Sequence, residues 1–235
     1  MTLAFGAVSQ DWLPISPHMP GCHVIAYLAG ALLVAGGLAI NIDRAARFAA
    51  LGLAALFAVG MLVFEAPSMA THLANWGGWQ AVAESTVMAL GGVLAYARSP
   101  GAGDSASLAR LARLVFGLCL LVFGGSHFIY AKFTASMVPA WLPPSQLIWA
   151  YATGAAQIAA GLAVLSGVQA RLAAILLTVM YAAFGLLVHL PTIISAPGSH
   201  DNWTENGINL VLTGAAWCLT DALARAKKGK SASAS

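Results

Sequence analysis

The sequence predicts an all-α fold: a polytopic membrane helical bundle of about seven transmembrane helices carrying a parallel internal repeat. Three observations predict it. Of 235 residues, 60% are hydrophobic and 8% charged, with a mean hydropathy of +0.80, whereas soluble domains are usually about 25% charged. The apolar residues fall in stretches near the ~20 residues that cross a ~30 Å hydrocarbon layer. An ungapped shift of 124 positions superposes one half of the chain on the other.

Taken in order, residues 1–22 are too short and too proline-rich to span (Pro14, Pro17, Pro20) and read as an external segment. They lack the basic opening of a secretory signal. Candidate spans follow at Val24 to Ile42, Phe48 to Phe64 and Trp79 to Ala97, the first three-helix repeat, within residues 23–98. Residues 99–109 form a Gly/Ser/Asp linker. Four more spans, Leu111 to Tyr130, Leu147 to Leu165, Leu172 to Leu190 and Asn206 to Ala224, make a four-helix unit over residues 110–224. Residues 225–235, basic and then Ser/Ala-rich, read as a disordered cytoplasmic tail.

Lys and Arg set the orientation, because cytoplasmic loops retain them. Arg44, Arg47, Arg98, Arg110, Arg113, Arg171, Arg225, Lys227, Lys228 and Lys230 fall on one side, and Lys132 alone on the other. The expected placement is the cytoplasmic (inner) membrane, N-terminus outside and C-terminus inside. The basic residues sit in short loops and the tail, so the net charge of +3 gives no reason to expect nucleic acid as a partner.

The repeat rests on residues that rarely coincide by chance. The shift places Tyr27 on Tyr151, Arg47 on Arg171, Pro67 on Pro191 and Trp79 on Trp203, and Gly37-Leu38-Ala39 on Gly161-Leu162-Ala163. Spans one to three thus repeat as five to seven. Four crossings separate equivalent points, so both copies face the same way. Trp12-Leu13-Pro14 echoes Trp141-Leu142-Pro143, but no spanning helix precedes it as span four precedes the second copy.

The polar residues that enter the apolar spans are the candidates for chemistry. Glu84 lies about five residues into span three, or ~7–8 Å at the helical rise. His127 is one turn from the outer end of span four, and Gln157 is well inside span five. Ionisable groups at such depth are rare and face the bundle rather than lipid. Together they predict an outer-leaflet pocket: His127, Glu84 and Gln157 as polar contacts, His189 and Glu205 at the rim, Trp141 and Trp149 near the mouth. A purely structural hydrogen-bonded knot, worth about 1 kcal/mol per bond, is the competing account. The tryptophans also suit an interfacial belt. No HxxxH or ExxH spacing supports a metal site, and Cys22, Cys119 and Cys218 have no metal-type spacing. The chain has no CxxCH and no GxGxxG, so no cofactor is expected in the chain itself.

Phe123-Gly124-Gly125-Ser126-His127-Phe128, the connector Val138-Pro139-Ala140-Trp141-Leu142-Pro143, and the run from Trp149 through Gly154-Ala155-Ala156-Gln157 to Gly161-Leu162 together resemble the DoxX/DoxD-like integral membrane proteins. The resemblance covers residues 110–224 and, more weakly, the preceding repeat. It implies a bacterial inner-membrane protein on a four-helix unit. Some relatives are subunits of membrane oxidoreductases that pass electrons to quinone, including a thiosulfate:quinone oxidoreductase. The implied function is therefore an oxidoreductase-associated subunit that binds a quinone-like lipid near the outer leaflet. Its implied partners are the lipid bilayer, quinone and another membrane or periplasmic redox protein. Members often carry Glu where this chain has Gln157. A non-catalytic scaffold or assembly factor that docks a partner protein is the alternative.

Overall fold

The structure, a computed structural model, describes residues 20–99, 102 and 105–232, with side chains as far as residue 226. The expected external segment lies outside the described residues up to residue 19, and so do most of residues 100–104 of the linker. Eight helices and no strands make up the described residues. They are α1 (Cys22–Ala39), α2 (Asp43–Thr71), α3 (Trp76–Arg98), α4 (Ser105–Ile129), α5 (Ala131–Met137), α6 (Gln146–Ser166), α7 (Ala170–Ser195) and α8 (His200–Ala232).

Six of these helices are long and apolar enough to cross a membrane: α1, α2, α4, α6, α7 and α8, the last counted to Ala226. The bundle therefore has the character of an integral membrane protein. The third expected span, α3, is 23 residues long, about 35 Å at 1.5 Å per residue. It is less apolar because Gln80, Glu84, Ser85 and Thr86 interrupt its first half. Packing accounts for the tolerance of these groups, since α3 is flanked by α2, α4 and α8.

Most helices extend past the expected bounds. The largest difference is at the C-terminus, where α8 continues through residues 225–232 instead of ending in a disordered tail at Arg225. The Ala/Lys/Arg run there is rich in helix formers, and Arg225 Nε donates to Asp221 Oδ2 one turn back at 3.0 Å.

Two helices carry a single wide π turn, Met61–Glu65 in α2 and Gly185–His189 in α7. The cause is Pro67 and Pro191: each lacks an N–H, and its ring crowds the carbonyl four residues back, at Val63 and Leu187. The extra residue carries Glu65 and His189 to the inside, where both are buried.

Helix starts follow one local rule. Asn75, Ser145 and Ser199 each accept a backbone N–H from the first turn of α3, α6 and α8. Four residues after each cap, the indole of Trp79, Trp149 or Trp203 donates back to a loop carbonyl, of Leu73, Pro143 or Pro197, at 3.1, 2.7 and 2.9 Å. Element bounds also coincide at the 124-residue offset. The starts of α1 and α6, both π turns, and the starts of α3 and α8 are so related.

The closest packing is between α4 and α6. A Cβ on Gly124 would lie 2.6 Å from the carbonyl oxygen of Gly154, and one on Gly161 would lie 2.8 Å from that of Gly117. Small residues seven apart on both helices let the backbones touch, as membrane helix pairs require in the absence of a hydrophobic drive. Phe116, Leu120, Val87, Val164, Leu177 and Leu219 fill the shared core.

Candidate functional site

Helix α4 presents two polar neighbours in opposite directions. Ser126 faces α3 and His127 faces α6, because adjacent residues on a helix point about 100° apart.

Towards α6, the imidazole of His127 is held at both nitrogens. Nδ1 lies 2.9 Å from Thr153 Oγ1 and 3.2 Å from the carbonyl of Ala150. The Thr153 hydroxyl itself donates to the carbonyl of Trp149 at 2.8 Å. Nδ1 therefore carries the proton, and Nε2 accepts from Gln157 Nε2 at 3.0 Å. The ring is stacked on Phe184 of α7, centroid to centroid 6.4 Å. Phe184 in turn meets Tyr181 at 6.1 Å.

Towards α3, a second line of hydrogen bonds runs inward. Trp76 Nε1 donates to Ser126 Oγ at 2.9 Å, Ser126 Oγ to Gln80 Oε1 at 2.6 Å, and Gln80 Nε2 to Glu84 Oε1 at 2.9 Å. Residues 76, 80 and 84 are one turn apart on one face of α3, so the helix repeat itself lines them up.

Two buried polar atoms in this region have no partner: Gln157 Oε1 and Tyr181 Oη. Gln157 is 2% exposed and Tyr181 3%. Turning the Gln157 amide over exchanges its oxygen and nitrogen, and one of the two is then still unpaired. Leaving such a group unsatisfied costs about 1–3 kcal/mol.

A separate buried pair joins α2 to α3: Ser85 Oγ donates to Glu65 Oε1 at 2.7 Å, while Glu65 Oε2 is unpartnered. At the 124-residue offset stand His189 and Asn209, both buried. Asn209 Oδ1 lies 3.0 Å from where a Cβ on Gly185 would be, so it packs against the second π turn.

The expected pocket residues are thus distributed. His127 and Gln157 are in direct contact, and Glu84 is linked through Gln80 and Ser126 to the adjoining residue of the same turn. His189 is buried on α7 and Glu205 half-buried on α8. Trp149 ties the connector to α6, and Trp141 is exposed. Trp141 lines a cavity of about 450 Å³ with Met137, Gln146, Leu187 and Pro191. A second cavity, about 490 Å³ and mostly apolar, lies between α1, α2, α3 and α8. Neither includes His127, Glu84 or Gln157. Among the described residues, no group of three His, Cys, Asp or Glu side chains is disposed to hold a metal ion. Thr153, Ser126, Gln80 and Tyr181 were not singled out from sequence. The first three had a readable signal: Thr153 stands one turn before Gln157, Ser126 adjoins His127, and Gln80 precedes Glu84 by one turn.

A family model described as a domain of unknown function, DUF8561, matches residues 116–206. That segment runs from the middle of α4 into the first turns of α8 and contains His127, Gln157, Trp141, Trp149, His189 and Glu205. The description names no activity and does not mention DoxX/DoxD-like proteins. No curated protein and no solved structure matches the chain.

Proposed function

We propose that this chain is a DoxX-like bacterial inner-membrane protein, an oxidoreductase-associated subunit whose α3/α4/α6/α7 face binds the head group of a quinone-like lipid near the outer leaflet. The observation that carries this reading is the unpaired amide atom of Gln157 beside His127, with the unpaired hydroxyl of Tyr181 near by. An amide oxygen and a phenol offer one acceptor and one donor, which suits a ligand that alternates between carbonyl and hydroxyl forms. Phe184 supplies an aromatic wall. Nothing in this pair carries electrons, so the redox centre belongs to a partner protein.

In this reading α3 is the seventh crossing, its polar residues shielded by α2, α4 and α8. The N-terminus is outside and the C-terminus inside. The 124-residue repeat is parallel, supported by the coincident helix starts and π turns.

Melting curves with and without a soluble ubiquinone analogue test the binding. The wild type is expected to be stabilised by the analogue, and Gln157→Leu to lose most of that increment. No shift in the wild type at any soluble concentration would remove quinone. The scaffold reading would then stand, favoured by the open apolar groove between α1 and α8.

A further inference from the structure

The cavity of about 450 Å³ that Trp141 lines lies beside the wide turn of α7, where α5 and the connector join one candidate span, α4, to the next, α6. Two interruptions of the backbone meet there. The first is the π turn itself. The Leu190 N–H is given to Gly185 and not to Leu186, and Pro191 has no N–H to give Leu187. The carbonyls of Leu186 and Leu187 thus lose the donors that an α-helix places four residues on. The second is the end of α5 at Met137, where the carbonyls of Ser136 and Met137 have no further turn to pair with. All four of these residues line the cavity.

The polar side chains around the cavity add more acceptors. Ser136 Oγ donates to the carbonyl of Phe133 at 2.7 Å, and Thr192 Oγ1 to that of His189 at 2.8 Å. A hydroxyl whose proton is committed can only accept. Gln146 Nε2 donates to the carbonyl of Val138 at 2.5 Å. A carbonyl cannot donate, so the amide nitrogen must face it, and Oε1 is left as an acceptor. Met137, Pro139 and Leu187 supply apolar wall. The cavity is also far larger than the ~30 Å³ share of one water, so a bare ion would not fill it.

We infer that this cavity binds a primary ammonium group carried on an apolar body, either the head group of an aminophospholipid or a free alkylamine. An ammonium has three donors and no acceptor, the complement of a site rich in carbonyl, hydroxyl and amide oxygens. The indole of Trp141, 71% exposed, lines the same cavity, and an indole face attracts a cation. Methylating the ammonium removes every donor and keeps the charge, so the quaternary head group of phosphatidylcholine should bind poorly. The cavity shares no residue with the His127–Gln157 pair, and neither site depends on the other.

The test uses the full chain in mild detergent with equal amounts of phosphatidylethanolamine and phosphatidylcholine, and native mass spectrometry counts the lipid retained. Phosphatidylethanolamine is expected in roughly ten-fold excess, the worth of one charge-assisted hydrogen bond. Leu187→Trp fills the cavity from a position 37% exposed and should bring the ratio near one. Pro191→Ala, at an exposed position, returns an N–H to the Leu187 carbonyl and should lower the ratio several-fold. Melting curves with hexylamine and with hexyltrimethylammonium, both as chlorides, run alongside. A rise with hexylamine alone that Leu187→Trp abolishes, without any lipid preference, supports the site with a free amine as its ligand. A ratio lowered by Leu187→Trp and not by Pro191→Ala supports the cavity and removes the Leu187 carbonyl from its contacts. A lipid preference unchanged in both variants overturns the inference, as does equal stabilisation by the two ammonium compounds. Potassium chloride that matches hexylamine overturns it in favour of a bare cation. A wild type that neither selects phosphatidylethanolamine nor responds to hexylamine overturns it outright.

Discussion

Nε2 of His127 and Nε2 of Gln157 lie 3.0 Å apart, joining α4 to α6 in a part-buried position. The bond uses one end of the amide and leaves Oε1 unpaired. The two partners should therefore respond differently to mutation. Gln157→Leu removes both the bond and the unsatisfied atom, and replaces the amide by the residue that stands 124 positions earlier, Leu33. It also strands His127 Nε2, so one unpaired atom replaces another and the effect on thermal stability is expected to be small. His127→Ala removes the ring from Thr153, Gln157 and Phe184 together and leaves the whole Gln157 amide unpaired, a loss of about 2–4 kcal/mol. Thermal unfolding of both variants without ligand checks the order. Equal losses would mean that Gln157 Oε1 has a partner in the folded protein.

The Glu65–Ser85 bond ties α2 to α3 through a buried carboxyl. Ser85→Ala strands both oxygens of Glu65 and is expected to destabilise by about 1–3 kcal/mol. Glu65→Gln keeps a polar group of the same shape in reach of Ser85 and should cost less. Denaturation in mild detergent ranks the two. A Ser85→Ala variant as stable as wild type would place Glu65 in contact with water or lipid head groups instead.

The topology is open to chemical test at Ala102 and Ser199, which precede α4 and α8. Three candidate spans, α4, α6 and α7, separate these two positions and put them on opposite sides. A cysteine at 199 should react with an impermeant maleimide in intact cells, and one at 102 only after lysis. Labelling of both in intact cells would mean that one of α4, α6 and α7 does not cross. Labelling of 102 alone would invert the segment from α4 to α8.

Much of this fold was legible in the sequence because its signals are one-dimensional. Apolar run length marked the helices, and the 124-residue offset read from Pro67, Pro191, Trp79 and Trp203 also relates the two π turns. The third expected span is not among the six long apolar helices, because Gln80, Glu84 and Ser85 lower its hydropathy. The site was legible in part. His127 and Gln157 stood out as polar groups in apolar runs, and they touch. Trp149 proved to be tied to Pro143, because an indole four residues after a cap reaches the preceding loop. Tyr181 was hidden, since a tyrosine in an apolar helix gives no sign of whether its hydroxyl is partnered. The wide turns that bury Glu65 and His189 were not read either, although the prolines that cause them were.

The proposed repeat makes its sharpest prediction at two glycines 124 positions apart that differ in surroundings. Gly161 has the Gly117 carbonyl 2.8 Å from the site of a Cβ, and both groups are backbone, so neither can swing aside. Gly161→Ala should therefore push α4 from α6 and disturb the His127–Gln157 bond one turn away. A loss of about 1–3 kcal/mol is expected, in the range of overpacked cores. Gly37 has open space in the same direction. Gly37→Ala gains helix propensity, up to about 1 kcal/mol in an exposed helix interior, and meets no clash, so stability should be unchanged or slightly raised. Melting temperatures of the two variants, in the same detergent, check the contrast. If Gly37→Ala destabilises as much as Gly161→Ala, a helix already occupies the groove in the folded protein, and α1 is packed as tightly as α6.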